Sequence, residues 1–216
     1  VGELAGSEEK VVMEYLHHEW KADAVLGVGS IKGEISSILT LMRWTESYRG
    51  DTTDNSEGDL VRSFRYLNEA LEGVYDLREV NCITYIAPFH HVIVSRGTSG
   101  PLTSAALSSL SKFALYGFLS PHFPGIEEVI EMVAECISGC ILEETDSESD
   151  EVIFMKMLEL SALTFRCDAS SMLSVRKAWE IYKTCLNIHH QQRASKILKS
   201  EAESTLRHLT LTTFSR

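Results

Sequence analysis

The chain has 216 residues, 44% of them hydrophobic, and carries 31 acidic against 20 basic side chains for a formal net charge of −11. That excess of carboxylates repels phosphate backbones and anionic head groups, which argues against nucleic acid as a partner and against direct lipid binding. The length suits one domain with a sizeable core, and no apolar run reaches the roughly eighteen residues a membrane-crossing helix requires.

The start, VGELAGSEEK, lacks the basic and apolar regions of a signal peptide and reads as a trimmed or processed end, so a soluble intracellular location is expected. A helix is expected at about 8–24. Gly27, Gly29 and Gly33 in GVGSIKG lack the preceding strand and the GK[ST] continuation of a phosphate loop, and are read as a flexible joint. Ile31, Ile35, Ile38, Leu39 and Met42 then mark an amphipathic helix. A polar loop, ESYRGDTTDNSEGD, leads to a second, marked by Leu60, Phe64, Leu67, Leu71 and Val74.

Further helices are expected at about 80–95 and from Pro101 onward, with Thr98, Ser99 and Gly100 supplying the N-cap region. On the latter, Leu102, Ala106, Leu110, Phe113 and Gly117 share one face and Ser104, Ser108 and Ser111 another. Pro121 and Pro124 are expected to end it. Ile126, Val129, Ile130, Val133, Ile137 and Ile141 form the next stripe, followed by helices at about 149–166, 171–188 and 191–213. Ser147 with Asp150 reads as a capping box of the carboxylate kind, and Asp150 and Glu151 suit a helix N-terminus. Phosphorylation of Thr145 or Ser147, each followed three residues on by an acid, is the functional alternative.

No segment shows β alternation, so the fold class is all-α, and about nine helices joined by short loops suit an armadillo- or HEAT-like stack better than a four-helix bundle. The cysteines, Cys82, Cys136, Cys140, Cys167 and Cys185, are odd in number and read as reduced. His17-His18, His90-His91 and His189-His190 are adjacent pairs that splay around a helix. Cys136 with Cys140 and Cys185 with His189 have the spacing of two ligands on one face, yet nothing completes a zinc set, and packed thiols are the default. No serine elbow or catalytic-cysteine signature is present, so no catalytic residue, metal or cofactor is assigned. Trp20, Trp44, Trp179, Tyr48, Tyr66 and Tyr75 are candidates for partner contact if exposed, with core packing the default for each.

Five segments in order resemble the amino-terminal DCB (dimerisation and cyclophilin-binding) domain of the large Arf guanine-nucleotide exchange factors. They are IKGEISSILTLMR, with Gly33, Glu34 and Ile35; LVRSFRYLNEAL, with Leu60, Ser63, Phe64, Leu67 and Leu71; and the stretch holding Pro88, Phe89, Gly100 and Pro101. TDSESDEVIFMKMLEL follows, with Asp150, Glu151, Met155 and Lys156, and AESTLRHLTLTTFSR closes the series. Ser147 departs from the family's usual proline. The pattern is similar to the early-Golgi branch that includes the brefeldin A resistance factor, Gea and GNOM.

The resemblance implies a right-handed armadillo/HEAT-like stack over residues 31–216 behind an extension over 1–30. It implies a non-catalytic regulatory domain, because exchange activity in that family lies in a separate Sec-seven-type domain. The implied partners are a second copy, the downstream homology-upstream-of-Sec-seven (HUS) segment, and an immunophilin or small GTPase. The implied location is cytoplasmic, peripheral at Golgi membranes. An unrelated armadillo-like adaptor and a helical metal-dependent enzyme are the alternative readings.

Overall fold

The computed structural model describes residues 27–44, 55–141, 147–192 and 194–214, the side chains of 55–57 and 147–149 excepted. In chain order the helices are α1 (27–44), α2 (Asn55–Ala70), α3 (Cys82–Val94), α4 (Gly100–Leu115), α5 (Ile126–Ser138), α6 (Ser147–Arg166), α7 (Val175–His189) and α8 (Lys196–Phe214). Short 3₁₀ turns at Leu77–Glu79 and Asp168–Met172 complete the regular structure, and no strand occurs among the described residues. The fold is therefore all-α. The expected helix at 8–24 lies outside the described residues, as do Thr145 and the side chain of Ser147 in the expected capping box.

From α2 onward, helices pack on neighbours one or two places along the chain. α3 touches α2, α4 and α5; α5 touches α6 and α7; and α8 closes on α6 and α7. One file of contacts runs α2, α3, α5, α7, and a second runs α4, α6, α8. α1 joins the second file through α4, where Glu34 meets Ser109 and Lys112. Local packing of this kind buries one continuous core without long-range strand pairing.

The core's densest point is aromatic. Phe89 on α3 meets Phe64 of α2 edge-on at 5.0 Å and Phe113 of α4 edge-on at 5.3 Å, and Tyr85 meets Phe113 at 6.4 Å. All four rings are fully buried. Edge-to-face geometry places the positive rim of one ring on the negative face of the next, so the contacts are directional as well as apolar. The Tyr85 hydroxyl donates to the Phe118 carbonyl at 3.4 Å, giving its polar end a partner in the interior.

Helix ends account for most differences from the sequence reading. α4 stops at Leu115, short of Pro121, and Gly117 leaves the helix instead of continuing its apolar face. Gly117 is left-handed, with φ +76°, its N–H bonded to the Ala114 carbonyl and that of Phe118 to the Phe113 carbonyl. This is a Schellman stop, closed by the apolar contact of Phe113 with Phe118. Val74 and Ile141 likewise fall beyond their helices, after Gly73 (φ +77°) and the C-cap Gly139.

Ser99 is the N-cap of α4, but its hydroxyl makes no cap bond and is buried without a hydrogen-bond partner, while Pro101 occupies the second helical position. The glycines read as a joint lie inside α1. Gly27 is there because a Cβ would stand 3.0 Å from the Phe118 ring, so its absence lets α1 approach the core. Val28, next to it, is part of that core, so α1 runs through the expected boundary at residue 30.

Replacing Phe89 removes the ring that joins three helices. Phe89→Ala is expected to cost about 3–5 kcal/mol, measured as a loss of unfolding free energy in urea with the slope unchanged.

Candidate interaction surface

Three glutamates tie helices together, each through a serine. Glu34 on α1 accepts from the Ser109 hydroxyl at 2.7 Å and pairs with Lys112 at 2.6 Å. Glu131 on α5 accepts from both the backbone N–H (2.7 Å) and the hydroxyl (3.0 Å) of Ser174, which itself caps α7 at the Lys177 N–H. Glu151 on α6 accepts from the Ser195 N–H at 2.7 Å, just ahead of α8. Charge-assisted bonds to N–H groups at helix starts satisfy donors the helix cannot.

The residues singled out by the family pattern thus spread through the fold. Glu34 and Glu151 make inter-helix ties. Phe64, Pro88 and Phe89 are interior, Pro88 inside α3. Gly33 and Pro101 are exposed, and Gly100 has space for a Cβ, in ordinary contact with Ile153 at 3.6 Å. Met155 packs on the core edge, Lys156 pairs with Glu159 at 2.9 Å, and Asp150 is half-buried on the first turns of α6. They do not converge on a cleft.

The thiols are packing groups. Cys82, Cys136 and Cys185 are buried, and burial raises their pKa, to about 11 for Cys82 and Cys185, which disfavours the thiolate a metal would need. No group of three or more His, Cys, Asp or Glu side chains among the described residues is arranged to hold a metal ion. His90 is set into the α3–α5 junction, its Nε2 3.3 Å from Glu135 and its Nδ1 buried without a hydrogen-bond partner. Burial lowers its pKa; Glu135 opposes that, and the charges of His91 and Lys177 add to it.

The surface, by contrast, carries aromatic groups at unexpected density. Trp44, Tyr66, Tyr75 and Trp179 are all exposed, which reverses the default of core packing for each; Trp20 and Tyr48 lie outside the described residues. Most of these stand apart from one another. On α7 they do not: Val175 (87% exposed), Trp179 (57%) and Leu186 (37%) form a single stripe, flanked by Tyr182, which is half-buried against the edge of the core. Trp179 and Tyr182 stack face to face, centroids 5.7 Å apart at 9°. Met172, at the end of the preceding 3₁₀ turn, is also exposed.

The same helix has a second, inward stripe of Ile181, Cys185 and Ile188. The i, i+4, i+7, i+11 spacing of Val175, Trp179, Tyr182 and Leu186 was present in the sequence, and a count of apolar stripes per helix is the signal that finds it.

No described helix is long and apolar enough to cross a membrane. No protein-family model matches the chain. The chain is 29% identical, over 198 residues and 89% of its length, to the Golgi-specific brefeldin A-resistance guanine nucleotide exchange factor 1 homolog of Caenorhabditis elegans. It is 30% identical, over 192 residues and 86% of its length, to each of the ARF guanine-nucleotide exchange factors GNL1 and GNOM of Arabidopsis thaliana. The chain spans 10–13% of these relatives' length. It is thus similar, over most of its own length, to one limited region of large ARF exchange factors, as the ordered motifs imply.

Because the folded state lowers the His90 pKa, the unfolded chain takes the proton first as pH falls below about 6.5, and stability is lost from there down to the folded value. Urea midpoints are expected to fall between pH 7.5 and 5.5 in the native chain and to fall less in His90→Gln; equal slopes would refute the assignment. Trp179→Ala, on an exposed site, is expected to change unfolding free energy by no more than about 0.5 kcal/mol.

Proposed function

We propose that this chain is a non-catalytic regulatory region, of the DCB kind, within a large ARF exchange factor working at Golgi membranes. The observation that carries the reading is the collinear similarity over 86–89% of the chain to exchange factors of which it spans only 10–13%. A stretch of that size leaves room for a separate catalytic domain in the relatives, and the family motifs here are spent on packing and inter-helix ties rather than on a reactive cluster. In this reading the region pairs with a second copy and contacts the HUS segment, with an immunophilin or small GTPase as a further partner. It reaches the membrane only peripherally, through the full-length protein.

Helical files with exposed ridges suit such a role, since they offer long surfaces in which apolar anchors can be buried. Light scattering across a concentration series during size-exclusion chromatography tests self-association. A mass near twice 24.2 kDa is expected; a monomer throughout would remove the dimerising role.

A further inference from the structure

From the geometry of α7 we infer that its outward stripe is a docking seat for an acidic-bordered amphipathic helix. The inward stripe of α7 points into the core, and its α5-facing side is fixed by Ser174, held by Glu131. Lys177 lies on that side too: its side chain is only 15% exposed and its charge acts on His90 of α3. At about 100° per residue, the Val175, Trp179, Tyr182 and Leu186 stripe is centred roughly opposite Lys177, so it faces away from α5 and α3. Helices α8 and α6 also pack on α7, and Tyr182 is the flank of the stripe that meets the core, leaving Val175, Trp179 and Leu186 exposed. It runs about 16 Å along the helix, three turns, which is the length over which one packed helix reads another.

The occupant's charge follows from what borders the stripe. Arg176 and Lys183 are exposed and lie side by side along one edge, about 80° round from its centre. α7 holds three cations, Arg176, Lys177 and Lys183, against the single carboxylate Glu180, a local excess of two positive charges in a chain of net charge −11. Glu180 ties Lys177 at 3.1 Å and reaches Arg176 only at 3.9 Å.

An occupant with glutamates or aspartates along one border of its apolar face would pair with Arg176 and Lys183 while its apolar groups cover Trp179 and Tyr182. Trp, Tyr and Arg are the residue types that dominate binding energy when desolvated together. An antiparallel second α7 is a poor occupant, because that pairing sets one basic border against the other.

The test uses two synthetic helical peptides of about 18 residues with the same leucine stripe, one bordered by glutamate and one by lysine. Their binding to the full chain is read by fluorescence anisotropy. The glutamate peptide is expected to bind, and the lysine peptide to bind about tenfold more weakly or worse. Trp179→Ala should weaken the glutamate peptide by a similar factor without changing the chain's own oligomeric mass. The double charge reversal Arg176→Glu with Lys183→Glu should invert the peptide preference, and Tyr66→Ala, on α2, should do nothing.

Equal binding of both peptides, binding insensitive to Trp179→Ala and to the charge reversal, or no binding at all would overturn the proposal. So would a fall in oligomeric mass in Trp179→Ala, which would make the second copy the occupant. A monomeric native chain that still binds the glutamate peptide would sink the dimer reading and leave this seat standing.

Discussion

Phe89 is the point on which the fold turns. Its ring is clasped edge-on by Phe64 and by Phe113, so α2, α3 and α4 are fixed to one another through a single side chain with directional contacts. Close packing leaves such a junction little latitude: a missing ring opens a cavity that the surrounding helices can fill only by moving. The Schellman stop at Gly117 belongs to the same unit, because it returns Phe118 onto Phe113 and brings the Phe118 carbonyl to Tyr85. The second file of helices extends from this end of the molecule.

The glutamate ties extend the order along the chain. Apolar contacts alone permit helices to slide and rotate, and a carboxylate that accepts a bond from one particular serine sets both register and angle. Glu131 and Glu151 do this at the starts of α7 and α8, while Glu34 does it midway along α4. With α7 clamped at its first turn, its outward stripe is held in one orientation. The Trp179–Tyr182 stack presents a flat, stiff surface at little cost in side-chain freedom. Tyr182 rests on the edge of the core, but Val175, Trp179 and Leu186 beside it form an apolar surface, bordered by cations, that the described chain leaves uncovered.

Sequence periodicity located the helices because their inner faces repeat at the helical spacing. Phe64, Leu67 and Leu71 on one side, and Val129, Ile130, Val133 and Ile137 on another, are all fully buried. It failed at ends, where one glycine in a left-handed conformation stops a helix whose apolar spacing runs on, as at Gly73 before Val74 and at Gly117 itself, the last residue of its expected stripe. It could not find Glu34 with Ser109 or Glu131 with Ser174, partners 75 and 43 residues apart that no local pattern connects. The exposed stripe was legible in principle, but an aromatic residue in a helix is ordinarily interior, and only the structure shows that Ile181 and Cys185 take the buried face of this helix instead of Trp179.

The claim that joins fold to function is that the aromatic cluster around Phe89 is sealed in the interior while Trp179 on α7 faces outward. Hydroxyl-radical footprinting of the chain, read residue by residue by mass spectrometry, measures that division directly. The account predicts fast oxidation of Trp179, intermediate oxidation of the half-buried Tyr182, and strong protection of Tyr85, Phe64, Phe89 and Phe113. Protection of Trp179 to the level of Phe89 in the isolated chain would contradict it, because the stripe would then already be covered from within.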